Sequence, residues 1–384
     1  MIKKIKIDNF KCFKASSSFN FSKLNLLTGI NGRGKSSLLQ SILVLSQSAW
    51  RSMDLRSLVI NDELVKLGNY DDIRNSETSR SESIGFEIEF SEDEIDCAKI
   101  TLSENVDDPL QANFETIEVS VNGFTTITRN TDKVIDGTIK RLSEAIKRVH
   151  FVSADRLGPV RYVDKINLPV FLHVGPRGEH AINILANSIN MGNVNELLYR
   201  GNDSKSIVQQ TEEWMSYVLG GAKIDIGGKE KESSVLYMLL NNKPNSFSYK
   251  PANVGFGYSY ILPLIITGLI AKPGEIIILE NPEAHLHPRA QSKLAEFFAL
   301  IAATGVQVFI ESHSEHILNG FRVSAMNPDI PLDHSQLSIH YFDESFDSVE
   351  LGIDAKGKIE NWPNGFFDQQ ELDLAEIFKY SRLI

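Results

Sequence analysis

Apolar and polar residues alternate over Phe86–Phe90, Lys99–Leu102, Thr116–Val121 and Phe124–Thr128. That period of two predicts strands of a partly exposed antiparallel sheet. Upstream, Ile2–Ile7 and Phe19–Leu27 read as two strands around a turn, and Leu64–Gly68 as a strand entering the polar loop 69–83. Helical runs cover 35–48 and Thr138–Val149, the second leading into an apolar strand, His150–Ser153. Between about residues 160 and 250 the pattern turns irregular and polar, with helical pieces near 180–199 and 205–219. From Tyr258 a regular order returns: a helix, strand Glu275–Leu279, helix Pro288–Thr304 and strand Val306–Glu311. The expectation is an α/β fold with a mixed sheet flanked by helices, an antiparallel β subdomain and an inserted helical lid. It divides the chain at 1–158, 159–250, 251–320 and 321–384. No repeat or sustained heptad pattern is visible, so a long coiled-coil arm between the halves is not expected.

Composition changes this picture little. The 384 residues are 42% hydrophobic and 23% charged, ordinary for a soluble globular chain. The net charge of −11 argues against general attraction to polyanions, so any DNA contact needs a local basic patch. Cys12 and Cys97 show no metal-ligand spacing. The start lacks an apolar export signal, and the longest apolar run, Tyr258–Ala271, contains Pro263 and is too short for a bilayer. A cytoplasmic protein without membrane association is expected.

Residues Gly29–Ser36 read Gly-Ile-Asn-Gly-Arg-Gly-Lys-Ser, between an apolar strand (Leu24–Leu27) and a helical run. This is the pattern of a phosphate-binding loop, which arises by chance in about 1–2% of chains this long. Glycines 29, 32 and 34 let backbone N–H groups turn toward phosphate oxygens, and the helix start adds its positive end. Asn31, Gly32, Gly34, Lys35, Ser36 and Ser37 are the candidate contacts, with Lys35 toward the β/γ-phosphates and the Ser36 hydroxyl on Mg²⁺. The implied ligands are ATP and Mg²⁺.

A second constellation follows the apolar strand Ile276–Leu279. Glu280 succeeds it directly and is the candidate metal-side acid; Glu283 is the nearest acid able to serve as base, because Asn281 cannot take a proton. His285 and His287 invite a zinc reading, but i,i+2 neighbours share no helix face and no Cys or carboxylate completes a pattern. His313, after strand Val306–Glu311, stands where α/β ligand sites lie and is suited to a γ-phosphate or the attacking water. Gly255, Gly257 and Ser259 open the apolar helix Ile261–Ile270 and form a further candidate anion-binding surface.

In this order the motifs resemble the ATP-binding-cassette-type AAA family ATPases of the RecF/SMC/OLD branch. Ile7–Lys14 is similar to that branch's N-terminal NF+xF strand and Gly29–Ser36 to its Walker A. Asn253–Ser259 resembles a variant signature motif, Glu280–Pro288 a Walker B and D-loop, and Ser312-His313-Ser314 a switch histidine. Gly357–Asp368, containing Trp-Pro-Asn-Gly-Phe-Phe-Asp, resembles a C-terminal segment of unknown function found on a subset of these ATPases. The resemblance implies a head-to-tail homodimer, or higher homo-oligomer, in which Gly255, Gly257 and Ser259 of one copy face the Walker A of another. It also marks departures: Glu280 replaces the usual aspartate, and Asn281 stands where the catalytic glutamate is common, which implies slow hydrolysis. Asp71 and Asp72 are weak stand-ins for a Q-loop glutamine.

Three functions compete. The first is an ATP-driven switch that dimerises and controls a separate effector, a nuclease or toxin, in antiphage defence. The second is an OLD-type nuclease, for which the only acidic cluster after His313 is Asp343–Asp347, too few acids for a two-metal centre. The third is a RecF-like DNA-binding repair ATPase, for which Lys140, Arg141, Lys147 and Arg148, with Arg156 and Arg161, supply a small basic group.

Overall fold

The computed structural model describes all residues except 92–93, 130–136, 189–190, 202–203, 242–246, 345, 347, 364 and 383–384. In chain order the elements are β1 (Ile2–Asp8), β2 (Ser17–Asn20), β3 (Leu24–Gly29), α1 (Lys35–Arg51), β4 (Ser57–Val59), α2 (Tyr70–Ile73), β5 (Ile84–Phe90), β6 (Cys97–Glu104), β7 (Gln111–Val121), β8 (Phe124–Arg129), α3 (Gly137–Ile146) and β9 (Val149–Val152). Then come β10 (Val163–Asp164), α4 (Ala181–Asn187), α5 (Ile207–Leu219), β11 (Lys223–Gly227), β12 (Val235–Asn241), α6 (Phe256–Ile270), β13 (Ile276–Glu280), α7 (Pro288–Ala303), β14 (Gln307–Glu311), α8 (Glu315–Met326), β15 (Leu337–Phe342), β16 (Ser348–Leu351) and α9 (Gln369–Ser381). No helix among the described residues is long and apolar enough to cross a membrane.

The central sheet runs β16-β15-β3-β14-β13-β9, with every pair parallel except β15–β16. Its inner strands β3, β14 and β13 are apolar on both faces, as a sheet covered on both sides requires. Leu24, Leu26, Ile277, Leu279, Val308 and Ile310 enter one core with α4 to α8; Leu27, Ile276, Ile278 and Phe309 enter a second with α1, α3 and the antiparallel sheet. That antiparallel sheet, β2-β1-β5-β6-β7-β4 with β8 on β7, carries the alternation seen in the sequence.

Four expectations change. Phe19–Leu27 is not one strand: β2 joins the antiparallel sheet and β3 the central one. The break is held by Asn25, whose Oδ1 accepts from the Ser22 N–H and whose Nδ2 donates to the Ser22 carbonyl, both at 2.8 Å. Leu64–Gly68 forms no strand, only a bridge between Asn61 and Lys66. Side-chain amides satisfy this backbone instead: Gln47 donates to the Val59 carbonyl and accepts from the Val65 N–H, and Asn61 brackets Gly68. The inserted region is not purely helical, because β10, β12 and β11 make a three-stranded sheet. It packs into the main core, with the Trp214 ring 4.6 Å from Phe297. Finally, β15, expected within the C-terminal segment, pairs with β3 and belongs to the central sheet.

Helices α7 and α8 meet at Gly320, where a Cβ would stand 2.6 Å from Ala295 Cβ and 2.9 Å from the Ser292 carbonyl oxygen. Overpacking of this kind costs about 1–3 kcal/mol, against about 1 kcal/mol gained in helix propensity. Gly320→Ala is therefore expected to lower stability in urea unfolding; an unchanged or higher midpoint would show that the helices separate freely there.

Candidate functional site

Parallel pairing brings the C-terminal ends of β3, β14 and β13 to one edge, the place where ligands bind in such sheets. There Leu27 lies beside Glu311, and Glu311 beside Glu280. The loop after β3 turns through Gly29, Gly32 and Gly34, at φ of 116°, 75° and 112°. Gly29 is obligatory twice over, since a Cβ there would also stand 2.2 Å from the Phe342 carbonyl oxygen. Asn31 and Gly32 are exposed, while Lys35 is only 3% exposed. Its Nζ donates to the loop's own carbonyls, Gly29 at 3.0 Å and Ile30 at 2.8 Å, so the cation is held inside the curl of the loop. Burial lowers its pKa, and Glu311 acts in the opposite direction. Ser37, next along α1, is half-buried.

The Ser36 hydroxyl donates to Glu311, at 3.0 and 3.2 Å from its two oxygens. Sequence reading missed Glu311, although it directly follows an apolar strand, as Glu280 does. Both carboxyls are pushed above their ordinary range by burial. For Glu311 the charges of Glu280 and Glu283 add to this, against the Ser36 bond and Lys35; for Glu280 the Ala154 N–H (3.1 Å) and Arg156 oppose it. A hydroxyl and two crowded carboxylates form a hard oxygen donor set, which fits Mg²⁺. Ser36, Glu311 and Glu280 are the residues that would hold it.

Glu283 and His313 meet, the Glu283 Oε1 accepting the His313 backbone N–H at 3.0 Å, while its Oε2 is buried without a partner among the described atoms. Partial desolvation, then the charge of Lys35, holds the His313 imidazole below its usual pKa, with Glu283 opposing. Ser314 caps α8, its Oγ accepting from the N–H groups of His316 and Ile317 and donating to Gln291 of α7 at 2.5 Å. The turn carrying His313 is thereby fixed to α7.

Asn281 has φ of 43°, a left-handed conformation that Asn tolerates better than Glu. Its backbone N–H donates to the Glu311 carbonyl at 2.8 Å. Arg156, expected among DNA-facing cations, is instead 2% exposed. It donates to the carbonyls of Ser153 (3.1 Å), Glu280 (2.8 Å) and Asn281 (2.7 Å) and lies 5.4 Å from the Tyr260 ring centre. Desolvation lowers its pKa to about 10, opposed by Glu283, Tyr260 and Glu280, so it stays charged at neutral pH. Arg156 is thus a positioning residue joining the acidic strand end to α6.

At the start of α6, Gly255 is exposed and Gly257 packs near the His285 carbonyl, but Ser259 is 7% exposed with its Oγ buried and unpartnered among the described atoms. Gly255 and, in part, Gly257 remain accessible on that surface, whereas the Ser259 hydroxyl, expected to face a second copy, is buried. His285 packs its ring 4.4 Å from Tyr260, and His287 caps α7 by accepting the Arg289 N–H. Another cluster, Glu63, His173 and His180, has ligand atoms within 4.8 Å. His173 Nδ1 accepts the Gly175 N–H at 3.1 Å, and burial holds the ring's pKa at about 3. The neutral ring then carries its proton on Nε2, which lies 3.6 Å from Glu63, too far for a hydrogen bond. Asp72 is spent capping α2 through Asn69, and Asp71 lies within ion-pair distance of Arg74 and Arg80. Arg141 pairs with Glu94, and Lys147 and Arg148 pair with Glu144. The Asp347 end of the acidic cluster lies outside the described residues.

The fold is that of P-loop ATPases of the ABC type. The chain belongs to the family described as "AAA domain, putative AbiEii toxin, Type IV TA system", which matches residues 24–319. Residues 332–377 match a second family, "Protein of unknown function (DUF3696)". Among solved structures, an Smc head bound to the C-winged helix domain of ScpA aligns with TM-score 0.50 and 14% identity, covering 92% of this chain and 98% of that one. The Smc head with an extended coiled coil bound to the C-terminal domain of ScpA, from Pyrococcus furiosus, gives 0.51 and 13%, covering 98% and 99%. At such identities the likeness concerns the fold. No curated protein matches the sequence.

Because Glu311 is raised above the ordinary carboxylate value of 4.5, its ionised form costs the empty fold stability, which returns as pH falls from the raised value toward 4.5. Glu311→Gln keeps an acceptor for Ser36 and removes the charge. The variant is expected to melt higher, by roughly 1 kcal/mol of stability at neutral pH, and to lose the Mg²⁺-dependent part of nucleotide affinity. Lower melting with undiminished Mg²⁺ dependence would contradict this account of the acid.

Proposed function

We propose that this chain binds ATP with Mg²⁺, hydrolyses it slowly and, by closing with a second copy around the nucleotide, acts as a switch for a separate effector protein, a nuclease or toxin, in antiphage defence. The observation that carries the reading is the convergence of Lys35, Ser36, Glu311 and Glu280 at one sheet edge. Bound Mg²⁺ would neutralise charge on the phosphates. Lys35 would leave the loop carbonyls for the terminal phosphates, a short movement within its own curl. Glu283 is the acid proposed to orient and deprotonate the attacking water, beside His313. Slow turnover follows from its position: one oxygen already accepts the His313 N–H, and Asn281 beside it offers no second base.

Dimerisation is supported by the exposed Gly255, which starts a helix with no side-chain cap. Its backbone N–H groups suit a phosphate presented by another copy. The buried Ser259 narrows the proposed contact to Gly255 and Gly257. A protein partner is in keeping with the Smc heads of this fold, which were solved with domains of ScpA bound. The defence role is supported by the family's description as a putative toxin of a Type IV TA system. Among the described residues the DNA-clamp reading keeps only Lys140 and Arg161 as exposed cations outside an ion pair, because Arg141, Lys147 and Arg148 pair with acids and Arg156 is buried.

Glu283→Gln is the test. With ATP and Mg²⁺ this variant is expected to sediment as a stable dimer with turnover reduced at least about tenfold, the loss typical of a missing general base, while Lys35→Ala remains as it is without nucleotide. A Glu283→Gln chain that stays monomeric, or that hydrolyses ATP at the parental rate, would overturn the proposed role.

A further inference from the structure

The C-terminal segment after β16 is fastened to the ATPase body rather than trailing from it. Arg322 of α8 donates from Nε to the Gly357 carbonyl at 2.6 Å, and Ile353 and Ile359 bridge each other inside the main core. Phe366 is fully buried, its ring 5.3 Å from Tyr341 and 4.8 Å from Trp362. Tyr341 lies on β15 directly beside Thr28 of β3, so this aromatic cluster is seated one strand away from the root of the phosphate loop.

That anchorage carries the next turn to the mouth of the site. Gly365, at φ of 77°, stands so close to the Tyr341 hydroxyl that a Cβ would lie 3.3 Å from it. Its N–H donates to Asp368 Oδ2 at 2.9 Å, which closes the turn immediately before α9. A cavity of about 280 Å³ results, with Thr28, Gly29 and Ile30 on one side, His313 beside them, and Gly365–Gln369 opposite. The Lys35 Nζ is 3.0 Å from the carbonyl of Gly29, one of the lining residues, and the His313 N–H is bonded to Glu283. The cavity therefore lies against the same loop carbonyl that holds Lys35, the residue proposed to meet the terminal phosphates.

We propose that the turn Gly365–Gln369 is a wall of the nucleotide site that faces the terminal phosphate, which gives the C-terminal segment a role in sensing that phosphate; this rests on the ATP-binding reading above. The Asp368 carboxylate is the charged group the wall presents. A bound triphosphate brings negative charge toward it, and a diphosphate brings less. Phe366 keeps the wall from retreating as a whole, so the response falls on Phe367, Asp368 and the first turn of α9. Asp368 is the residue preceding α9, and its carbonyl accepts the Leu372 N–H at 3.1 Å. Nucleotide state is in this way passed to a helix that is exposed along all its described residues.

Hydrogen–deuterium exchange of the full chain, with and without a non-hydrolysable ATP analogue and Mg²⁺, tests the proposal in one experiment. Peptides covering 29–37 and 365–372 are both expected to change their exchange with the triphosphate, the second less with ADP. Change at 29–37 with none at 365–372 would overturn the wall while leaving ATP binding intact. No change at either would remove the ATP-binding reading and this inference with it. Asp368→Asn, which keeps an acceptor for the Gly365 N–H, adds an independent measure. Loss of the facing charge is expected to raise the ATP-over-ADP affinity ratio by about threefold to tenfold. A merely structural role would leave that ratio unmoved, and an unmoved ratio would contradict the proposal.

Discussion

The parallel register of three strands is the constraint on which the rest of the structure depends. Because β3, β14 and β13 run the same way, the phosphate loop, Glu311 and Glu280 leave the sheet at one edge and nearly one level. A one-residue slip in any of these strands would exchange its two faces between the two cores and rotate the acid or loop at its end away. Register is enforced by apolar burial on both faces, so the packing that stabilises the sheet also aligns the chemistry.

That alignment has a cost. Glu280, Glu283 and Glu311 converge where water is scarce, and burial drives Glu280 and Glu311 toward their protonated forms. The surroundings offset part of it: Ser36 donates to Glu311, the Ala154 N–H to Glu280, and Arg156 supplies a buried positive charge held by three carbonyls. A cationic ligand set completes the balance that these groups leave open. Sites built to meet a ligand commonly sacrifice stability in its absence.

What was legible in the sequence is what is encoded locally. Gly29–Ser36 is a contiguous loop whose glycines are demanded by backbone angles, and Glu280, Glu283 and His313 follow strand ends that announce themselves by apolar runs. Glu311 escaped notice because its partner Ser36, on α1, lies 275 residues away and meets it only once β14 pairs with β3, a register that no local pattern states. Arg156 misled because charge composition does not reveal burial; its carbonyl partners appear only once β9 and β13 pair. Leu64–Gly68 looked like a strand because its residues suit one, yet the side chains of Gln47 and Asn61 took the backbone groups a neighbouring strand would have used. Ser259 showed the converse, a hydroxyl in an expected position turned inward by the phase of its helix.

The central claim is that this edge is a Mg²⁺-dependent triphosphate site, and calorimetric titration of the unmodified chain with a non-hydrolysable ATP analogue tests it most directly. The account predicts saturable binding with a Kd in or below the range of about 1 μM to 1 mM spanned by common enzyme–substrate affinities, weakened when Mg²⁺ is chelated. Absence of saturable heat with Mg²⁺ present, or binding indifferent to its removal, would contradict it.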